Sequence, residues 1–157
     1  MRRFAVALGF LALSLASLPA LAQDIPDGWV LEEDAASTTY YLVHYDAANK
    51  DVDIGITCNP GYKDVVLAFY SHLTGKPEQA KLDLVLSHEG TTLPIDATGN
   101  TLDDHFVVEG IVAFEDPLNA LLRDRFTVSV DGEELGHFTA KSGPEVIDKA
   151  IQACREP

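Results

Sequence analysis

Two cysteines, five histidines and an excess of carboxylates are the chemically active side chains of this 157-residue chain. His44, His72, His88, His105 and His137 are scattered, with no His-x-x-x-His spacing to bring two imidazoles onto one helix face. Ser71-His72 and Ser87-His88-Glu89 set a hydroxyl beside an imidazole, but neighbours on a strand point to opposite faces and cannot share a proton. There is no Gly-x-Ser-x-Gly. Asn49, Asp51 and Asp53 with Gly55 approach a calcium loop, yet the glycine comes one position late and Pro60 stands where a bidentate Glu is required. That stretch is better read as a turn feeding a strand. Asp103, Asp104 and His105 form the best candidate binding cluster, a solvated acidic loop, because three adjacent residues cannot close a metal site by themselves. No catalytic residue, metal or cofactor is assigned.

The cysteines lie in two different periodicities. Val52, Ile54, Ile56 and Cys58 alternate with Asp53, Gly55 and Thr57, which places Cys58 on the buried face of a strand. Val146, Ile147, Ala150, Ile151 and Cys154 recur at helical spacing, which places Cys154 on the buried stripe of a helix. A Cys58–Cys154 disulfide docking that helix on the sheet is expected, and the Cys-x-x-Cys spacing of a redox-active pair is absent.

The elements that carry these residues are mostly strands. Trp29–Glu33, Thr38–Tyr45, Val52–Cys58, Val65–Tyr70 and Lys81–Ser87 are rich in alternating apolar, aromatic and β-branched residues. Thr92–Ala97 is expected as an edge strand because it contains Pro94, and a polar loop over 98–104 leads to a strand over His105–Val112. Asp116 is expected to cap, and Pro117 to open, a short helical turn through Leu122. Phe126–Val130 and Leu135–Thr139 close a hairpin on Asp131-Gly132. A capping box of Ser142 and Glu145 then opens the last helix. Trp29, Tyr40, Tyr41 and Tyr45 could line an aromatic face, although alternation turns part of them into the core. The pattern predicts an antiparallel β-sandwich of about eight or nine strands with one C-terminal α-helix docked by a disulfide.

The N-terminus reads as a secretory leader. Arg2 and Arg3 precede the uncharged run Phe4–Leu18, and Ala20-Leu21-Ala22 supplies the small residues of a cleavage site, so the cut is expected after Ala22. The run falls short of the ~20 apolar residues of a membrane span, and no cysteine follows the cut to carry a lipid, so no stable membrane anchor is expected. Residues 1–22 are thus expected to be a signal peptide and 23–157 a single domain of the bacterial periplasm, an oxidising compartment suited to the disulfide; secretion is the alternative destination. The net charge is −14, and removing Arg2 and Arg3 makes it more negative. Nucleic acid and anionic lipid would be repelled, which leaves cationic proteins, peptides, metal ions or neutral ligands as partners.

Trp29 at the first strand, Cys58 ending an alternating strand and Pro117-Leu118 before a late hairpin are followed by Phe138, Gly143, Ala150, Ile151 and Cys154. This order resembles two groups of small periplasmic proteins, the invasion-associated locus B proteins and the accessory proteins of type VI secretion. The resemblance implies a β-sandwich with a docked C-terminal helix and a non-enzymatic envelope role, and it brings no catalytic residues. The expected function is therefore an envelope interaction protein that binds a cationic partner, with an inhibitor of a lysozyme-type enzyme as its sharper form. The alternative from another class is a small metal-dependent hydrolase centred on the loop over 98–104.

Overall fold

The structure is a computed structural model that describes residues 28–46, 48, 51–73, 75–102 and 105–155. The leader, its cleavage after Ala22, and Asn49 of the calcium-like stretch lie outside the described residues. The strands are β1 (Gly28–Asp34), β2 (Thr39–Asp46), β3 (Asp51–Cys58), β4 (Asp64–Ser71), β5 (Ala80–His88), β6 (Thr91–Leu102), β7 (His105–Ala113), β8 (Arg125–Val130) and β9 (Glu133–Thr139). Helix α1 (Asp116–Arg123) links β7 to β8, and a single 3-10 turn (Ala140–Ser142) leads into α2 (Pro144–Arg155).

All nine strands pair antiparallel in one sheet, in the order β1-β2-β3-β4-β7-β6-β5-β8-β9. The two walls of the expected sandwich are the two halves of this continuous sheet, which curls into a half-barrel. Its curl brings Trp29 of β1 to ring distances of 6.4 Å from Phe126 on β8 and 6.3 Å from Phe138 on β9. The alternation seen in the sequence is what fills the interior. Ile54, Ile56, Leu67, Leu84, Leu86, Val108 and Val128 all lie at 2 % exposure or less, and each such side chain contributes about 1.5–3 kcal/mol of burial.

The helices close one end of the curl. α1 lies against β5, β6 and β8, and α2 lies against β1, β2 and α1. α1 buries Leu118, Leu121 and Leu122, and α2 buries Ile147, Ala150, Ile151 and Cys154. Cys154 is bonded to Cys58 at the end of β3, with Cα atoms 5.7 Å apart and both residues buried, as the two periodicities required. Among the described residues, no helix is long and apolar enough to cross a membrane.

Four local expectations are corrected or refined. Residues 98–102, expected as loop, continue β6, because they pair in register with β7 as far as Leu102 opposite His105, and Gly99 gives the Phe106 ring its room. Pro94 lies in the half of β6 that pairs with β5 alone; β7 joins only from Ala97 onward, so the edge environment that proline requires is confined to that half. α1 is preceded by Glu115 as its N-cap, without a side-chain cap, and Asp116 falls inside its first turn. The Ser142–Glu145 capping box does not form. Ser142 Oγ donates to the Thr139 carbonyl instead, and the Gly143 carbonyl accepts the N–H groups of Val146 and Ile147.

Candidate functional site

Two β-bulges shape the mouth of the half-barrel. Between β2 and β3, His44 pairs with Ile54 but Tyr45 pairs with Val52, which makes Asp53 the extra residue. Between β8 and β9, Val128 pairs with Gly136 but Ser129 pairs with Glu134, which makes Leu135 the extra residue. A bulge bends its strand and re-aims the inserted side chain. Asp53 and Leu135 accordingly both line one cleft, although they come from opposite halves of the sheet.

The cleft has a volume of about 470 Å³, within the range of small-ligand and peptide pockets. Phe69, Leu73, Leu135 and Phe138 form its apolar wall, and Asp53, Glu133 and Glu134 give it an acidic rim. His72 and His137 also border it, and among the described residues no Lys or Arg does. Its back is an aromatic cluster around Phe138, with ring separations of 5.2 Å to Phe126, 5.2 Å to His44 and 6.3 Å to Phe69.

The re-aimed Asp53 meets His44, with Oδ2 3.0 Å from Nδ1. Burial raises the Asp53 carboxyl above its ordinary value, and the hydrogen bond from His44 opposes that shift without cancelling it. His44 also stands edge-on to Trp29 at 5.1 Å, so this polar pair is wedged into the aromatic core at the cleft's side.

Two arrangements resemble catalytic machinery. Ser71 is buried, and its hydroxyl donates to the Phe106 carbonyl at 2.9 Å while accepting the Leu73 N–H at 3.4 Å, so it ties β4 to β7 and has no free proton to lose. His137 places Nδ1 3.1 Å from Thr127 Oγ1 and Nε2 3.1 Å from Glu134 Oε1, a hydroxyl, imidazole and carboxylate in a chain. The His137 and Glu134 side chains are 72 % and 62 % exposed, so water screens the polarisation that such a chain needs.

Of the candidate cluster named from the sequence, Asp103 and Asp104 lie outside the described residues. His105 opens β7 with Nε2 3.8 Å from Asp51 Oδ2. Asp51 is two residues from Asp53, and Phe106 pairs with the cleft residue Ser71, so His105 stands at the same mouth of the sheet as the cleft. The sequence draws attention to Asp53, Ser71, His72 and His137 of the cleft, each for a pattern that fails, and points to none of the cleft residues as a binding site. The signal that could have found two of them is the Glu134-x-x-His137 spacing beside the Asp131-Gly132 turn.

Elsewhere, His88 Nε2 lies 3.4 Å from both Glu89 Oε1 and Asp124 Oδ2, in ionic range but outside hydrogen-bond geometry, and Arg125 offsets those carboxylates. On the outer face, the cross-strand neighbours Val66 and Ile111 are exposed at 40 % and 70 %. Among the described residues, no group of three or more His, Cys, Asp or Glu is placed to hold a metal ion. Comparison with protein-family models, with curated proteins and with solved structures finds no match to this chain.

Proposed function

We propose that this chain is an exported, non-enzymatic binding module of the bacterial envelope that holds a cationic protein in the cleft between β4 and β9. The observation that carries the reading is the acidic rim of Asp53, Glu133 and Glu134 over an apolar wall, with no Lys or Arg among the described lining residues. Apolar contact supplies affinity, and the surrounding negative charge steers a basic partner and repels acidic ones. The disulfide favours an oxidising compartment and so supports an extracytoplasmic site of action. An inhibitor of a lysozyme-type enzyme is the sharper form of this reading, since such an enzyme is small and basic. The test is capture from envelope extract on immobilised wild-type protein and on the Asp53→Asn/Glu133→Gln/Glu134→Gln variant. A basic protein that binds only the wild type and elutes with salt supports the reading; identical capture by both contradicts it.

A hydrolase is favoured by one observation, the Thr127–His137–Glu134 chain. Thr127→Val separates the two readings, because it removes that chain's hydroxyl and leaves the acidic rim intact.

A further inference from the structure

We infer that the partner enters as an extended segment that adds a tenth strand to the free edge of β9. The inference rests on the cleft reading above and specifies its geometry. β9 pairs with β8 on one side, and among the described residues no strand occupies its other side. Six consecutive residues of β9, Glu133 through Phe138, border the cleft. Side chains alternate along a strand, so a wall made from a sheet face would take every second residue. Residues of both orientations border the cleft because the strand presents its edge to it.

The hydrogen-bonding direction of that edge follows from Trp29. The Thr139 carbonyl accepts the indole N–H of Trp29 on β1, so at Thr139 the backbone faces away from β8. In an antiparallel ladder the residue two positions back faces the same way, which turns the N–H and C=O of His137 toward the cleft. Glu133, Glu134 and the Leu135 bulge disfavour pairing of this edge with a second copy of itself, because two acidic, bulged edges repel. A strand with alternating basic and apolar residues meets no such barrier. On the outer face its cations would meet Glu134, which lies opposite Ser129, and on the inner face its apolar side chains would meet Phe69 and Phe138.

The test uses the disulfide-bonded protein, obtained by expressing the full chain into an oxidising compartment. The probe is an end-capped octapeptide of alternating lysine and valine, with two analogues methylated on every valine nitrogen or on every lysine nitrogen. All three carry the same charge. Strand addition requires one analogue to bind at least about tenfold more weakly than the parent, and the parent to slow hydrogen exchange at the His137 amide. Equal binding of all three overturns strand addition while leaving the charged cleft intact. Absence of parent binding at low salt, or binding unaffected by Glu133→Gln/Glu134→Gln, overturns the cleft reading and strand addition with it.

Discussion

The indole N–H of Trp29, on the first strand of the sheet, donates a 3.1 Å hydrogen bond to the carbonyl of Thr139, at the end of the last. This bond pins the two edges of the half-barrel together at one point. Around it, Gly28 at φ +97° lets the chain pass Ser142 where a Cβ would come within 2.6 Å of the Ser142 Cβ. The Trp29 ring then contacts His44 and Phe138, the residues that back the cleft.

Trp29→Phe keeps most of the ring burial and loses the bond to Thr139, so it should cost about 1–2 kcal/mol. Trp29→Ala also leaves a cavity in the aromatic cluster and should cost about 3–5 kcal/mol. Urea unfolding followed by far-ultraviolet circular dichroism gives both values, since Trp29 is the only tryptophan and cannot report on its own removal. A Phe variant as stable as the wild type would show that the bond does not hold the edges.

The disulfide closes a loop across 96 positions. In the chain-entropy account its loss should lower stability by about 4–5 kcal/mol. Urea midpoints with and without reductant measure this, and a Cys58→Ala/Cys154→Ala variant should be insensitive to reductant. An unchanged wild-type midpoint under reduction would mean that α2 is held by packing alone.

Asp131 sits in the β8–β9 turn with its carboxylate 2.7 Å from Lys76 Nζ and 3.1 Å from the Asp83 N–H. The Lys76 hydrogen bond, followed by that from Asp83, holds the Asp131 carboxyl below 3.8. The folded protein therefore releases this proton more readily than the unfolded chain. The stabilisation is complete above the ordinary carboxylate value and is lost as pH falls through the lower folded value. Asp34, through the Ser37 hydroxyl, and Glu78, through Thr101, shift in the same direction. The urea midpoint should thus drop below about pH 4. Asp131→Asn should flatten part of that drop while keeping the turn, because Asn tolerates the φ of +50° found there.

Asp53 has the opposite sign. Its carboxyl is raised by burial, so the folded protein holds the proton more tightly and stability declines as pH rises from 3.8 through the raised value. Asparagine removes that burial cost and can still hydrogen-bond His44. Asp53→Asn should therefore leave the neutral-pH melting temperature unchanged or higher while weakening salt-sensitive partner binding. A lower melting temperature would mean that the ion pair stabilises the fold.

Periodicity made most of the fold legible. Ile54, Ile56 and Cys58, and Ile147, Ile151 and Cys154, announce their buried faces because strand and helix repeats differ, and Asp131-Gly132 has the residue types its positive φ values demand. The continuous curled sheet was not legible, because alternation records which face is buried and not what covers it. The capping box failed because a tertiary contact, the close approach of Gly28 and Trp29 to Ser142 and Gly143, decides how α2 begins. The cleft stayed hidden for a related reason. Asp53 reads as an outward residue of an alternating strand, and only the bulge turns it toward His44. Glu133 and Glu134 read as ordinary solvated turn residues until the curl brings them opposite β4.

The central claim is that a partner occupies the cleft, and site-specific photo-crosslinking in intact cells tests it most directly. A crosslinker at Leu135 is compared with one at Ile111 on the exposed outer face. The account predicts a covalent adduct with a basic protein from position 135, reduced in the Asp53→Asn/Glu133→Gln/Glu134→Gln background, and none from position 111. An adduct from position 111 and none from 135 would contradict it and move the binding surface to the outer face of β4 and β7.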